Sequence, residues 1–399
     1  MKKGWQIKTL GEVLEKTETV NPLQSPNTEF DYIDVSSVSN TTFEIEETQR
    51  LNGKDAPSRA RKLVRTNDII FATIRPTLQR IAVVPDHLDK QVCSTGYFVL
   101  RPKRGVDHRF VFYSLFTEDF SAQMESLQKG ASYPAVTDGD VRAQVIPLPP
   151  LPEQQRIVGL LDEAFEGLAT AKANADENFH NARALFESYL QSVFTQRGSG
   201  WLEKPLGDIA TFRNGINYTK DSKGERIKIV GVRNFQKHFS APLDDLDTVT
   251  IDGKLGELDS LMQDDILAVR SNGNIELIGR TLLVGKVTEK ISHSGFTIRI
   301  RLSNGSVLPK YVCHFMKSTS SRKRLADGGT GTNIKSLNQG MLSALAIPFP
   351  PIHTQKALVK KLESTSAETQ RLARLYEQKL ALLAALKKSL LHQAFSGHL

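Results

Sequence analysis

The sequence predicts an α+β protein: two mixed α/β domains in tandem duplication, joined by two long helices that form an antiparallel coiled coil. Three observations carry this reading. The segment IPLPPLPEQQRIVGLLDEAF, from Ile146, returns 201 positions later as IPFPPIHTQKALVKKLESTS, from Ile347. Short β-branched and aromatic runs of strand length precede each copy. A stretch of about 45 residues with helical spacing follows each one.

The repeat extends both ways. Phe110 and Val111 pair with Tyr311 and Val312, Gly130 with Gly331, Leu190 with Leu391 and Phe194 with Phe395. Upstream the offset drifts to 199 for Gly96 against Gly295, 197 for Asn67 against Asp264 and 196 for Trp5 against Trp201, the mark of short loop insertions. A period this long is a duplicated domain plus helix, not a solenoid. The expected division is residues 1–150, a helix over 151–199, residues 200–351, and a second helix over 352–399.

In the first domain FDYIDVSSV, NDIIFATI, RIAVV and GYFVLRP read as strands; in the second, RIKIVGV, DDILAV, TLLVGKV and FTIRIRL do. One helix is expected from Asp107 and its counterpart from Pro309. The prolines at 147, 149 and 150, and at 348, 350 and 351, then force an extended entry into each long helix. Along the first, Ile157, Leu161, Ala164, Leu168, Ala171, Ala175, Asn178, Ala182, Leu185 and Tyr189 step by fours and threes. The shifted positions are Leu358, Leu362, Thr365, Thr369, Leu372, Tyr376, Lys379, Leu383, Leu386 and Leu390. Each rod would be roughly 65 Å long. The first carries seven acidic residues against four basic ones and the second eight basic against three acidic, so the two should pair with each other. Gly198, Gly200 and Gly397 mark the expected helix ends.

Composition excludes several classes. The 399 residues are 39% hydrophobic and carry a net charge of +8, which rules out a disordered chain and makes an anionic partner plausible. Cys93 and Cys313 are too far apart in sequence for a metal ribbon and suit a reducing, cytoplasmic setting. No apolar run is long enough to span a membrane. Catalytic motifs are missing: GRTLLVGKV has five residues between its glycines and Val287 where a magnesium-binding hydroxyl is required, so it reads as a strand. No dinucleotide-type glycine loop, amino-methylating tetrapeptide or metal-ligand histidine pair occurs. The expectation is a non-catalytic chain with no metal and no cofactor of its own, which argues against a self-contained methyltransferase.

Reading double-stranded DNA needs cations for phosphates and Arg, Asn or Gln for base edges. The first domain offers Arg59, Arg61, Lys62 and Arg65, then Arg75, Gln79 and Arg80, then Ser132 and Tyr133 after Gly130. The second offers Arg213, Asn214, Asn217 and Tyr218; Arg233, Asn234, Gln236 and Lys237; Arg270, Ser271, Asn272 and Asn274; and Thr332, Asn333 and Lys335. The copies differ most in these stretches and agree in the helices, as two readers of different sequences on one frame would. The rival reading is an assembly scaffold whose domains touch no DNA.

The duplicated Pro-Leu-Pro-Glu-Gln entry, NDIIFATIR with DDILAVRS, and the terminal LLHQAFSGHL resemble the specificity subunit of type I restriction-modification enzymes, over essentially the whole chain. The resemblance implies two target-recognition domains, each reading one part of a bipartite DNA site, held by the coiled coil. It also implies that the helices dock two methylation subunits, which bind S-adenosylmethionine and methylate adenine, and that the full assembly adds restriction subunits. By resemblance Pro152, Glu153, Gln154 and Gln155 mark the first partner-binding region and Gln355 the second. His353 and Thr354 there replace the Pro-Glu pair, which puts equal docking at both ends in question.

Overall fold

The computed structural model describes residues 4–235, 238–303, 305–327 and 336–399. Its chain falls into two compact units, Met1–Asp176 with Gln378–Leu399, and Glu177–Glu377.

The first unit contains β1 (Gln6–Thr9), α1 (Leu10–Val13), β2 (Glu29–Ile33), β3 (Gln49–Asn52), β4 (Ala60–Leu63), β5 (Ile69–Ala72), β6 (Ile81–Val83), β7 (Val92–Ser94) and β8 (Tyr97–Leu100). α2 (His108–Ser114), α3 (Glu118–Leu127), α4 (Asp138–Arg142) and β9 (Val145–Leu148) follow, and then α5 (Leu151–Thr195), whose residues up to Asp176 belong to this unit. Three sheets form, in the orders β3-β2-β7-β4, β6-β5-β8 and β1-β9. All pairings are antiparallel except β2 with β7.

The second unit repeats the plan with β10 (Leu202–Pro205), β11 (Ala210–Asn214), β12 (Arg226–Val230), β13 (Asp247–Thr250), β14 (Ile266–Val269), β15 (Thr281–Leu283), β16 (Ile291–His293) and β17 (Thr297–Leu302). α6 (Pro309–Lys317), α7 (Thr319–Asp327), α8 (Gln339–Ser343), β18 (Ala346–Phe349) and the residues of α9 (Ile352–Ser396) up to Glu377 complete it, the rest of α9 belonging to the first unit. Its sheets run β13-β12-β16, β11-β17-β14-β15 and β10-β18, and the β12–β16 pair is again the parallel one.

The apolar runs explain the layering. In β5 every residue is buried, yet Ile69 and Phe71 join the core beneath α2 and α3, while Ile70 and Ala72 join a second core with Cys93, Tyr97 and Val99. A strand covered on both faces needs no alternation, which is why it reads as one continuous hydrophobic run. β14 repeats this, with Ile266 and Ala268 on one side and Leu267 and Val269 on the other.

One buried ion pair recurs in both units. Arg101 grips Asp68 through two bonds of 2.8 and 2.7 Å, and Arg301 grips Asp265 through bonds of 2.7 and 2.8 Å. Each carboxylate also accepts from a backbone amide three residues upstream, Arg65 or Met262, at 2.8 Å. The residue before each aspartate is left-handed, with φ of 67° at Asn67 and 71° at Asp264. The forks tie the tight turn before the central strand to the strand that pairs with it.

The structure corrects three expectations. The helix expected from Asp107 is two helices, because Thr117 leaves the helical region and caps α3 by accepting from Phe120 N–H. Its counterpart likewise breaks at Ser318 between α6 and α7. Strand register also resets one equivalence: Ala72 lies opposite Tyr97 and Val269 opposite Thr297, so Gly96 corresponds to Phe296, not to Gly295. By contrast TLLVGKV holds β15, a strand as expected.

The long helices pair antiparallel. In the first unit Ile157 and Leu161 of α5 share a core with Leu391 and Ala394 of α9. In the second, Leu190 and Val193 of α5 share one with Val359 and Leu362 of α9. The strict heptad fails at Asn178 and Leu185, and at Lys379 and Leu386, all exposed. A helix with 3.6 residues per turn drifts off a 3.5-residue seam, so buried or half-buried positions move to Phe179 and Phe186, and to Leu380 and Lys387. Gly397 closes α9 at φ 78°, as expected of a left-handed cap.

Gln154 and Gln355 open these helices from inside. Gln154, 1% exposed, accepts from Asp107 N–H at 2.8 Å and donates to Pro149 O at 2.8 Å. Gln355, 0% exposed, accepts from Leu308 N–H at 2.9 Å and donates to Pro350 O and Ser306 O at 2.8 and 2.9 Å. Each amide thus joins the proline run to the N-cap of α2 or of α6. Replacing Gln154 by leucine strands a buried amide N–H and a carbonyl, for an expected loss of about 1–3 kcal/mol. Urea unfolding would check it, and an unchanged midpoint would count against this role.

Candidate nucleic-acid interface

In the first unit the loops at one end of the central strands are drawn together by backbone bonds. Thr73 N–H donates to Gly96 O at 2.9 Å, Thr95 N–H to Arg59 O at 2.8 Å, and Val136 N–H to Thr73 O at 3.0 Å. An isolated bridge links Ile74 to Ala135. These bonds bring Arg59, Arg75, Ser132 and Tyr133 to a common edge. Arg75 is itself left-handed, at φ 51°, and is held there because its N–H donates to Pro134 O at 2.7 Å. A non-glycine residue kept in that region costs backbone energy and draws attention to the turn. Its guanidinium lies 5.2 Å from the ring centre of Tyr133, which is 72% exposed. A cation on an exposed ring offers charge to a phosphate or guanine and a face for stacking.

The second unit is wired in the same way. Leu337 N–H donates to Arg270 O at 2.8 Å, and Ser271 bridges Ser336. Arg270 N–H donates to Phe296 O at 2.8 Å, while Ile216 N–H donates to His293 O and Gly295 N–H to Ile216 O at 2.9 and 2.8 Å. This edge presents Asn217, Tyr218, Arg270 and Ser271. Gln236, Lys237, Thr332, Asn333 and Lys335 lie outside the described residues.

Other candidates have partners within the fold. Asn234 is 4% exposed and closes its own turn, accepting from Gly231 N–H at 2.9 Å, so it cannot reach a base. Gln154 and Gln355 are likewise buried and do not belong to an exposed docking face, whereas Pro152 and Gln155 are exposed and Glu153 pairs with Arg156 at 2.7 Å. Lys62 is spent on Tyr97 O and Asp138, and Arg80 on the Val38 carbonyl. Arg65 pairs with Glu18 at the far end of β4. Arg213 forks onto Asp259 at 2.6 and 3.0 Å, which raises the arginine and lowers the carboxylate through their shared hydrogen bonds. Arg233 pairs with Asp247. Arg61 bonds Ala60 O and Gln79 bonds Ser121. Asn214 accepts from Gln339, Asn272 accepts from Asn274 N–H, and Asn274 caps a short turn at Glu276.

Phe296 was not among the candidates. In GFTIRIRL a period-two reading places it with Ile298 and Ile300 in the core, but β17 begins only at Thr297 and the ring is 61% exposed. The two thiols stay out of the chemistry: both are free and buried, and burial pushes Cys93 up to about 12. Among the described residues no cluster of His, Cys, Asp and Glu is arranged to hold a metal, and no helix is long and apolar enough to cross a membrane.

Two β-rich units of one design each present a different set of polar and aromatic side chains from loops at one sheet end, the form of a two-part binding protein. The model of the type I restriction modification DNA specificity domain matches residues 2–176 and 198–378. The chain belongs to that family, and is a DNA sequence-recognition subunit that assembles with other subunits. It is 24% identical over 321 residues to the type I restriction enzyme StySPI specificity subunit of Salmonella potsdam, covering 77% of this chain and 69% of that one. It is 23% identical to the EcoKI specificity subunit of Escherichia coli K12, with the same coverages of 77% and 69%. Among solved structures, a chain from a study of complex assembly and conformational transition in a type I restriction-modification system superposes with a TM-score of 0.85 at 26% identity, covering 100% of this chain and 99% of that one. The HsdS subunit from Thermoanaerobacter tengcongensis gives 0.70 at 27% identity, covering 100% and 98%.

Proposed function

We propose that each half reads one part of a bipartite DNA site, through residues 1–150 and 200–351, and that the helices over 151–199 and 352–399 dock two methylation subunits. The observation that carries this is the pair of matching backbone bonds at the two sheet ends, Thr73 to Gly96 and Val136 to Thr73 against Arg270 to Phe296 and Leu337 to Arg270, combined with unlike side chains: Arg59, Arg75 and Tyr133 in one, Asn217, Tyr218 and Arg270 in the other. A shared frame fixes how each edge meets a groove, and the differing side chains give each its own sequence. Restriction subunits would join through the same assembly. The exposed residues Pro152 and Gln155 are the candidates for docking at the first entry.

The test is a genome-wide map of methyladenine in the host with and without this gene. Loss of one asymmetric split motif is the expected result. If no motif disappears, and the chain reconstituted with purified methylation subunits shows no preference among duplexes, the scaffold reading replaces this one. DNA affinity should also fall steeply with salt, because each phosphate contact contributes about −0.9 to the slope of log affinity against log salt. Arg59→Ala removes a cation with no side-chain partner among the described residues and should flatten that slope by about 0.9 without altering the motif. An unchanged slope would take Arg59 off the interface.

A further inference from the structure

We infer that Phe296 is a base-contacting residue of the second unit, seated against the 5-methyl group of a thymine in the half-site that unit reads. The inference rests on the DNA-reading function proposed above and adds a residue and a chemical group to it. Phe296 stands on the turn between β16 and β17, 61% exposed. That turn is braced from both sides: Arg270 N–H donates to Phe296 O at 2.8 Å, Phe296 N–H to Ser294 Oγ at 3.2 Å, and Gly295 N–H to Ile216 O at 2.8 Å. The side chain of Asn217 lies so close over Gly295 that an added Cβ would fall 2.0 Å from its Oδ1. The turn that carries this exposed ring is therefore held by backbone bonds between Asn217 and Arg270, on the same sheet end as both.

A single exposed hydrophobic side chain is ordinary on a protein surface. This one is set apart by its counterpart. The equivalent position in the first unit is Gly96, where a Cβ would meet Val35 Cγ2 at 2.7 Å, so any side chain there has to displace Val35. The ring is a feature of one reader only, as a specificity element must be. The thymine methyl is the one apolar group that the base edges expose in the major groove, and phenylalanine is among the side chains that contact it. A pre-braced turn loses little freedom on making that contact.

The experiment uses the full chain assembled with its methylation subunits and a duplex carrying the mapped motif, with deoxyuridine replacing each thymine in turn. Removing one buried methyl should weaken binding roughly fourfold at one position. In the Phe296→Ala complex thymine and deoxyuridine should bind equally at that position, while discrimination at the other positions of the same half-site stays intact and shows that the second unit is folded. Equal affinity for every deoxyuridine duplex with the unaltered chain, or an undiminished difference in Phe296→Ala, overturns the inference while leaving the DNA-reading function standing. Absence of any motif-specific binding by the unaltered complex overturns both.

Discussion

Replacing Asp68 by alanine is expected to lower the stability of the first unit by about 3–5 kcal/mol, the range for removing one partner of a buried ion pair. The Asp68 side chain is 2% exposed and that of Arg101 11%, so the guanidinium left behind has little access to water. Glu18 still reaches Arg101 at 2.6 Å, but its side chain is 44% exposed and cannot replace a buried bidentate partner. The same substitution also frees the Arg65 amide that closes the turn. Asp265→Ala should act likewise on the second unit, where Arg301 has no other carboxylate among the described residues. Thermal and urea unfolding would measure both. The double replacement of Asp68 and Arg101 by leucine should recover much of the loss, because breaking the pair costs more than omitting it. A midpoint for Asp68→Ala that corresponds to less than about 1 kcal/mol would rule out the fork as a principal tie.

Mild acid should destabilise the second unit. Burial pushes His293 down to about 3 and His314 down to about 4. Around His293 the charge of Arg299 acts in the same direction and Asp259 opposes; around His314, Lys317 and Lys310 act with burial and Glu363 opposes. In the unfolded chain both rings take a proton near pH 6.5. Below that the unfolded state binds more protons than the folded one, so this contribution to stability is complete above about pH 6.5 and shrinks as pH falls. Each histidine contributes a loss of about 1.4 kcal/mol per pH unit until its folded value is reached. Calorimetry of the full chain at pH 7.5 and pH 5 should show an unfolding transition moving to lower temperature. In the double variant His293→Gln with His314→Gln that shift should largely vanish. The same shift in the variant would assign the acid response to other groups.

The strand runs NDIIFATI and DDILAV, the proline punctuation and the long helical stretches were legible because each depends on local chemistry. Apolar runs of strand length, missing amide hydrogens and helical spacing leave marks on neighbouring residues. Strands without an apolar run were less legible. β4, β7 and β16 carry Arg, Lys, Ser or His among few apolar residues, and it is their partners across the sheet, not their own composition, that make them strands. The single-helix expectation over residues 107–127 failed because Thr117 is compatible with helix interior and cap alike, and the break there lets α2 and α3 pack into one common core.

The site follows the same division. Arg59, Arg75, Tyr133, Asn217 and Arg270 were visible as residue types suited to DNA, but so were Lys62, Arg80, Arg213 and Asn234. Nothing in a linear sequence distinguishes an arginine facing solvent from one clamped by an aspartate 46 positions away, as Arg213 is by Asp259. The sequence by itself determined the duplication, the mixed domains, the pairing of two oppositely charged helices and the absence of catalytic motifs, since all of these are patterns along the chain. Only the tertiary structure decided which cations are already neutralised, that Gln154 and Gln355 are interior fasteners, and that Phe296 faces outward, because burial and pairing are made by residues distant in sequence meeting in space.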